Sequence, residues 1–96
     1  MSDVINAAVK ALNEKMGDEG FDGTAKFVIE GEGSVVIDSD GARAADEAAD
    51  VTLTADADTF ESILQGDLDP TAAFMSGRLS VDGDMGLAMK LGSVLA

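Results

Sequence analysis

The sequence predicts an α+β domain whose sheet is rich in antiparallel pairs, and three observations support this prediction. An amphipathic helix is predicted near the N-terminus, over residues 2–16. Short segments with alternating apolar and polar residues follow, separated by glycine-containing turns, and this period is typical of half-buried strands. In the C-terminal half, helix caps, glycine stops and one more alternating segment succeed one another closely. Connections this short suit antiparallel pairing, because parallel strands need long crossovers.

Length and composition restrict both the fold and the chemistry. The chain has 96 residues, which is enough for one domain with a modest core, and 46% of them are hydrophobic. It contains no Cys and no His. The sequence therefore offers no disulfide, no thiolate nucleophile, no sulfur-ligated metal and no histidine general base. We expect neither a cofactor nor a metal.

The net charge of −13, from 19 acidic and 6 basic residues, restricts the partners. A nucleic acid is not expected, because phosphate-binding surfaces need clustered Lys and Arg. Anionic membranes should also repel the protein. The N-terminus lacks a signal-type apolar core, and the longest apolar-rich run, residues 85–96, is too short to span a bilayer. We expect a cytoplasmic protein whose acidic surface keeps it in solution.

The N-terminal half is predicted to form one helix and several strands. The apolar stripe of the first helix ends at Gly17. Residues 24–30 and 34–38 form a predicted hairpin, and residues 50–55 form a further strand. Residues 42–49 are ambiguous, because their Ala and acid content is typical of a helix although they lie between two strand patterns.

The C-terminal half begins with two short predicted helices. Asp58-Thr59-Phe60-Glu61 has the form of a capping box, which predicts a helix with Asp58 as its N-cap, ending at Gly66. Asp69 and Pro70 begin a second helix, and Gly77 ends it. Residues 78–82 alternate as a strand does, and Asp84 is placed to cap the last helix.

The last helix, from Met85 to Leu95, has two apolar faces. A surface helix of a small soluble domain normally has only one. The helix therefore needs two partners: the sheet can be one, and the other is a second helix, a second subunit or an apolar ligand. The first face consists of Met85, Ala88, Met89 and Gly92, and the second of Leu87, Leu91, Val94 and Leu95.

The run from Pro70 to Leu91 resembles the end of the sterol carrier protein type 2 (SCP-2-like) lipid-binding family. The resemblance extends to G-x-G-S-V-V-I-D near Gly33 and to D-V-T-L-T-A-D, so we assign residues 1–96 to one SCP-2-like domain. It implies about five strands covered on one face by helices, a short strand within residues 42–49, and an apolar tunnel for lipids. The matching residues are Pro70, Ala73, Phe74, Gly77, Arg78, Leu79, Gly83, Asp84, Met85, Gly86, Ala88 and Leu91.

Methionine and phenylalanine side chains in the C-terminal half form the candidate binding site. An ordinary hydrophobic core is the alternative interpretation. Methionine is flexible and polarizable and so fits ligands of irregular shape, and the two-faced helix and the resemblance together favour a ligand cavity. The predicted lining consists of Phe60, Ile63, Leu64, Phe74, Met75, Met85, Leu87, Met89, Leu91 and Leu95.

Other motifs carry no catalytic or metal site. The sequence Gly31-x-Gly33 lacks a third glycine and precedes a strand, so it predicts a hairpin turn rather than a phosphate loop. Asp38-x-Asp40-Gly41 and Asp82-x-Asp84 lack the further oxygen ligands of a calcium loop, which favours turns and caps. The remaining acids are interpreted as solvated.

The resulting hypothesis is non-enzymatic binding, with transfer as an extension, of fatty acids, fatty acyl groups or sterol-like molecules. The alternative is a structural interaction module, in which the apolar C-terminal helix docks on a partner subunit or enzyme. We expect a monomer or a weak dimer. Transient contact with a membrane is compatible with the first hypothesis.

Overall fold

The computed structural model describes residues 3–17 and 19–95. Within these ranges the chain forms four helices and five strands, which confirms the α+β prediction. In chain order they are α1 (Asp3–Met16), β1 (Ala25–Glu30), β2 (Gly33–Asp38), β3 (Gly41–Ala44), β4 (Val51–Asp56), α2 (Ala57–Leu64), α3 (Pro70–Met75), β5 (Ser80–Gly83) and α4 (Met85–Leu95).

The five strands form one sheet in the order β3-β2-β1-β4-β5. Three of the four neighbouring pairs are antiparallel, as predicted. The central pair is different, because β1 and β4 run parallel, with Ala25 opposite Val51 and Ile29 opposite Ala55. The short connections did not predict this pair. Strands β2 and β3 lie between β1 and β4 in the chain, and they pair on the other side of β1.

Residues 45–50 make the connection between β3 and β4, and they cross the sheet on the face opposite the helices. The amide of Ala45 donates to the carbonyl of Ser34 at 3.3 Å, and the amide of Asp50 donates to the carbonyl of Thr24 at 3.2 Å. Between these points Lys26 Nζ lies 3.1 Å from Asp46 Oδ1. The ambiguous segment is therefore a short strand, as the resemblance implied, that ends at Ala44 and continues as this crossover.

The hydrophobic core lies on one face of the sheet, beneath the helices. Strands β1 and β4 alternate buried and partly exposed residues, so that Phe27 and Leu53 point into the core. Helix α2 places Phe60 against Phe27, with ring centroids 4.6 Å apart. Helix α1 adds a buried stripe at helical spacing, which confirms its predicted amphipathic face and consists of Ile5, Ala8, Leu12 and Met16.

The helix ends follow the predicted caps at two of three sites. Asp69 precedes Pro70 and accepts a hydrogen bond from the amide of Thr71 at 2.7 Å. Asp84 accepts one from the amide of Leu87 at 3.2 Å. These contacts satisfy amides that have no partner within the helix.

The prediction that Asp58 caps α2 is wrong, because Asp56 does so. Strand β4 extends one residue further than predicted, and Asp56 is its last extended residue, with φ −78° and ψ 168°. Its Oδ1 accepts a hydrogen bond of 2.7 Å from the amide of Thr59. Asp58 lies instead in the first turn of the helix, where its charge is favourable toward the helix dipole.

Replacing the cap tests this assignment. Asp56→Ala should lower the melting temperature by roughly 4–8 °C, the shift expected for loss of a typical N-cap from a domain of this size. Asp58→Ala removes the same charge but no cap, so thermal melts should find it less destabilising. Equal losses in the two variants would contradict the assignment.

The same cap predicts a dependence on pH. Hydrogen bonds from the Thr59 hydroxyl and amide hold the pKa of Asp56 below its ordinary value of 3.8. Such a group stabilises the fold above its unfolded pKa, and the contribution is lost as the pH falls through the lowered folded value. Urea titrations should therefore find the gap between wild type and Asp56→Ala full at neutral pH and smaller below about pH 4.

Candidate functional site

A cavity of about 550 Å³ lies between α3 and α4, over the β4–β5 end of the sheet. Its walls combine residues from both helices with side chains from the strands beneath them. The lining residues are Leu53, Asp69, Pro70, Thr71, Phe74, Met75, Leu79, Val81, Met85, Ala88, Met89, Gly92, Ser93 and Leu95.

The end of α3 determines the floor of the cavity. The helix ends with Ser76 as its C-cap, and Gly77 follows with φ +81°, a conformation that glycine adopts without strain. The amides of Arg78 and Leu79 then both donate to the carbonyl of Ala73, at 2.9 and 3.1 Å. This turn brings the chain back under the helix, so Leu79 is only 3% exposed.

Helix α4 forms the opposite wall, and its two faces separate as the sequence predicted. Leu91 and Leu95 are fully buried in the core, whereas Leu87 and Val94 are half-buried against it. The face of small and sulfur-containing residues turns to the cavity, where its members Met85, Ala88, Met89 and Gly92 all line the wall. At the other wall Pro70 comes close to α4, since a Cβ added to Gly92 would lie 3.9 Å from the Cβ of Pro70.

Large apolar side chains remain exposed around this cavity. In the described part of the chain, the large hydrophobic residues that are most exposed are Phe74, Met75, Met85 and Met89. All four belong to the lining, and Met89 is 74% exposed. Single exposed apolar residues are common on protein surfaces, but a contiguous group is typical of a binding site.

Half of the predicted lining residues lie on the cavity, and half do not. The five on the cavity are Phe74, Met75, Met85, Met89 and Leu95. The other five, Phe60, Ile63, Leu64, Leu87 and Leu91, belong to the core or pack against it. Contact of any of these side chains with a lipid stays a prediction.

Several lining residues were not predicted, and they differ in whether a sequence pattern could have identified them. Ala88 and Gly92 share the face of Met85 and Met89, so helical spacing alone could have identified them. Leu79 alternates with polar residues in the predicted strand 78–82, and in the structure it is buried and forms part of the cavity floor. Leu53 and Val81 are paired across β4 and β5, a contact that the sequence does not reveal.

The polar groups of the lining are few. They are Asp69, Thr71 and Ser93, and Asp69 is the only charged residue in the wall that the described chain provides. Its carboxylate accepts the hydrogen bond from the Thr71 amide that begins α3. The Ser93 hydroxyl donates to the carbonyl of Met89 at 3.4 Å.

Acidic residues elsewhere act in turns and ion pairs. Arg43 lies 2.7 Å from both Asp38 and Glu47. Its hydrogen bond, with a second from the Asp40 amide, holds the pKa of Asp38 below the ordinary value. Asp38 thus stabilises a turn, as predicted for this motif. Across residues 3–17 and 19–95, no three Cys, His, Asp or Glu side chains group as metal ligands would.

The length and apolar character of the helices decide whether one of them could cross a membrane. No helix in the described ranges has the length and apolar character needed to cross a bilayer.

Comparisons with known proteins identify the family. Residues 5–96 match the model of the SCP-2 sterol transfer family. Sterol carrier protein 2 of Rattus norvegicus is 44% identical over 68 residues, which are 70% of this chain and 11% of that protein. Hydroxysteroid dehydrogenase-like protein 2 of Danio rerio is 50% identical over 48 residues, 50% of this chain and 12% of that protein. The matched part of the chain is therefore a small fraction of these relatives.

Solved structures have the same fold. Sterol carrier protein 2 of Aedes aegypti, in complex with palmitate, superposes with a TM-score of 0.78 at 23% identity, covering 100% of this chain and 97% of that one. The sterol carrier protein 2-like 2 protein of Aedes aegypti gives a TM-score of 0.69 at 26% identity, covering 94% and 88%. With its five-stranded sheet, its helices on one face and the family match over residues 5–96, the chain belongs to the SCP-2 sterol transfer family.

Proposed function

We propose that this domain binds one lipid, a fatty acid, fatty acyl group or sterol-like molecule, in the cavity between α3 and α4, and that it catalyses no reaction. The observation that carries the proposal is the cavity itself, about 550 Å³ in volume and walled mainly by apolar side chains. This volume lies within the range of 300–1,000 Å³ that is usual for small-molecule sites.

The energetics favour a long apolar chain. Each methylene removed from water contributes about 0.8 kcal/mol. Burial of ten methylenes would therefore supply roughly 8 kcal/mol, from which the entropy of immobilising ligand and side chains must be subtracted. Before that subtraction, 8 kcal/mol corresponds to a Kd of about 1 µM, so ten buried methylenes set this value as the upper limit of affinity and longer chains should bind more tightly.

The side chains of the wall are better suited to contact with a ligand than to packing in a protein core. Met75, Met85 and Met89 are unbranched and polarizable, so they can adapt to chains or rings of different shape. In the structure they are exposed rather than packed into the core. A lipid would cover this surface, which water otherwise contacts.

Relatives support the lipid class. A protein with this fold binds palmitate, and the family itself is described by sterol transfer. The related hydroxysteroid dehydrogenase-like proteins are much longer than this chain, so a domain of this kind also occurs within larger proteins. Transfer between membranes is an extension of the binding proposal, with the cavity keeping the lipid in solution on the way.

A displacement titration tests the proposal. An uncharged fluorescent lipid probe should gain intensity on binding, and an unlabelled lipid of similar chain length should reverse the gain. The expected result is saturation at micromolar protein. A folded protein that gives no saturable signal with any lipid would instead favour the alternative, docking of the exposed apolar wall on another protein.

Two aspartate substitutions separate the cavity wall from its floor. Leu79→Asp buries a carboxylate and should cost several kcal/mol, comparable with the whole stability of a small domain, so it should unfold the protein. Met89→Asp leaves the carboxylate hydrated on an exposed wall, so the fold should survive while lipid affinity falls at least tenfold. Thermal melts and the displacement titration measure the two effects.

The matched control for the wall variant is Ala72→Asp. Ala72 is exposed on α3 but does not line the cavity. This variant adds the same charge and should leave lipid affinity close to that of wild type. If Met89→Asp unfolds the domain as badly as Leu79→Asp, or if Ala72→Asp weakens binding equally, the assignment of Met89 to the ligand wall is wrong.

A further inference from the structure

We propose, building on the lipid-binding function above, that this cavity selects lipids with an uncharged polar head over lipids with an ionised carboxylate, and that Asp69 is a residue that sets this preference. Asp69 is the one charged group in the wall formed by the described residues. A ligand carboxylate in the same cavity would be repelled by it, whereas a hydroxyl or carbonyl head would not.

The basic residues are in no position to offset this repulsion. All six belong to the described chain, and none lines the cavity. Lys26 is paired with Asp46 on the far face of the sheet, and Arg43 is engaged by Asp38 and Glu47. Lys10 and Lys15 lie on α1.

Two bases lie close in sequence to the lining but are directed elsewhere. Lys90 follows Met89 on α4, and its ammonium lies 3.5 Å from Asp22. Arg78 precedes Leu79, and its charge acts on Asp56 at the start of α2. Neither provides the wall with the cation that a carboxylate head would need.

Four backbone donors beside the cavity are also occupied. Amides at the start of a helix often bind anions, but at α3 the Thr71 amide donates to the side chain of Asp69, and the Ala73 amide donates to its carbonyl. At α4, Asp84 accepts from the amides of Leu87 and Ala88 in the same two ways. Two of these four amides are therefore occupied by carboxylates of the protein itself and two by its carbonyls, and a lipid carboxylate cannot use them without displacing these acceptors.

The remaining polar groups of the wall suit a neutral head. Thr71 and Ser93 carry hydroxyls, which can both donate and accept hydrogen bonds. The Ser93 hydroxyl donates its proton to the Met89 carbonyl, so its oxygen still has acceptor capacity. The wall thus contains two uncharged hydroxyl groups and one carboxylate.

The experiment compares two ligands with the same chain and different heads. Dodecanol and dodecanoate compete for the uncharged fluorescent lipid probe at low salt and about pH 8, where a carboxylic acid is ionised. Because the two heads also differ in hydration, the decisive quantity is the ratio of their dissociation constants in wild type against Asp69→Asn. Asparagine keeps the N-cap of α3, since it caps helices as well as aspartate does.

We expect wild type to prefer dodecanol, and we expect Asp69→Asn to shift the ratio toward dodecanoate by on the order of fivefold, the effect of removing one nearby charge in a hydrated site. The matched control is Asp56→Asn, which removes the same charge from the N-cap of α2, outside the cavity lining. For Asp56→Asn, the ratio of the dissociation constants of dodecanol and dodecanoate should stay close to that of wild type.

Salt provides a second measurement that needs no variant. Raising the salt from about 10 mM to about 1 M shortens the screening length from about 30 to 3 Å, so the preference of wild type for dodecanol should narrow. A ratio that is the same in wild type and Asp69→Asn, or that does not respond to salt, overturns the proposal while lipid binding itself stands. If neither ligand displaces the probe, the binding function fails as well.

Discussion

The burial of Leu91 and Leu95 against the core fixes the position of α4, and the geometry of the cavity depends on that contact. Once these two residues face the sheet, helical periodicity turns Met85 and Met89 sideways, toward α3. The short helix α3 cannot cover this surface, because it ends at Met75 and the chain folds back to insert Leu79 beneath it. The space between the helices is therefore a consequence of one well-packed helix beside one that is too short.

Local patterns in the sequence predicted the helices and strands better than they predicted the contacts between them. The caps at Asp69 and Asp84, and the two apolar faces of α4, follow from spacing that any helix must obey. Phe60 and Ile63 are predicted lining residues, but in the structure they pack in the core. An amphipathic stripe shows which face of a helix is apolar, but it does not show whether that face meets the core or a cavity. The cap of α2 was misplaced by two residues because β4 ends one residue later than predicted, at Asp56, and the helix begins directly after it. The parallel pairing of β1 and β4 joins segments far apart in the chain, and spacing carries no information about it.

The acidic composition has a structural use besides solubility. Asp56, Asp69 and Asp84 each begin a helix, where a carboxylate both satisfies free amides and suits the helix dipole. Two of these caps flank the cavity, so the residues that form the helices also determine its electrostatic character. Among the described residues, three of the six bases, Lys26, Arg43 and Lys90, are held in ion pairs, and two of them secure the crossover of residues 45–50 over the sheet. A net charge of −13 is thus distributed in a way that leaves the cavity wall, as the described residues form it, without a cation.

The parallel pair at the centre of the sheet has a consequence for the order of folding. The β1–β2 hairpin joins Ile29 to Gly33, four positions apart, whereas the β1–β4 pair joins Ala25 to Val51, a separation of 51 − 25 = 26. By the logarithmic scaling of loop closure, the second contact costs roughly 1.5–2 kcal/mol more chain entropy than the first. Hairpins form within microseconds, so we expect β1 and β2 to pair before β4 joins the sheet. Strand β5 pairs only with β4 among the described strands, and the cavity rests on both. We therefore expect the cavity to be the last part of the molecule to be assembled.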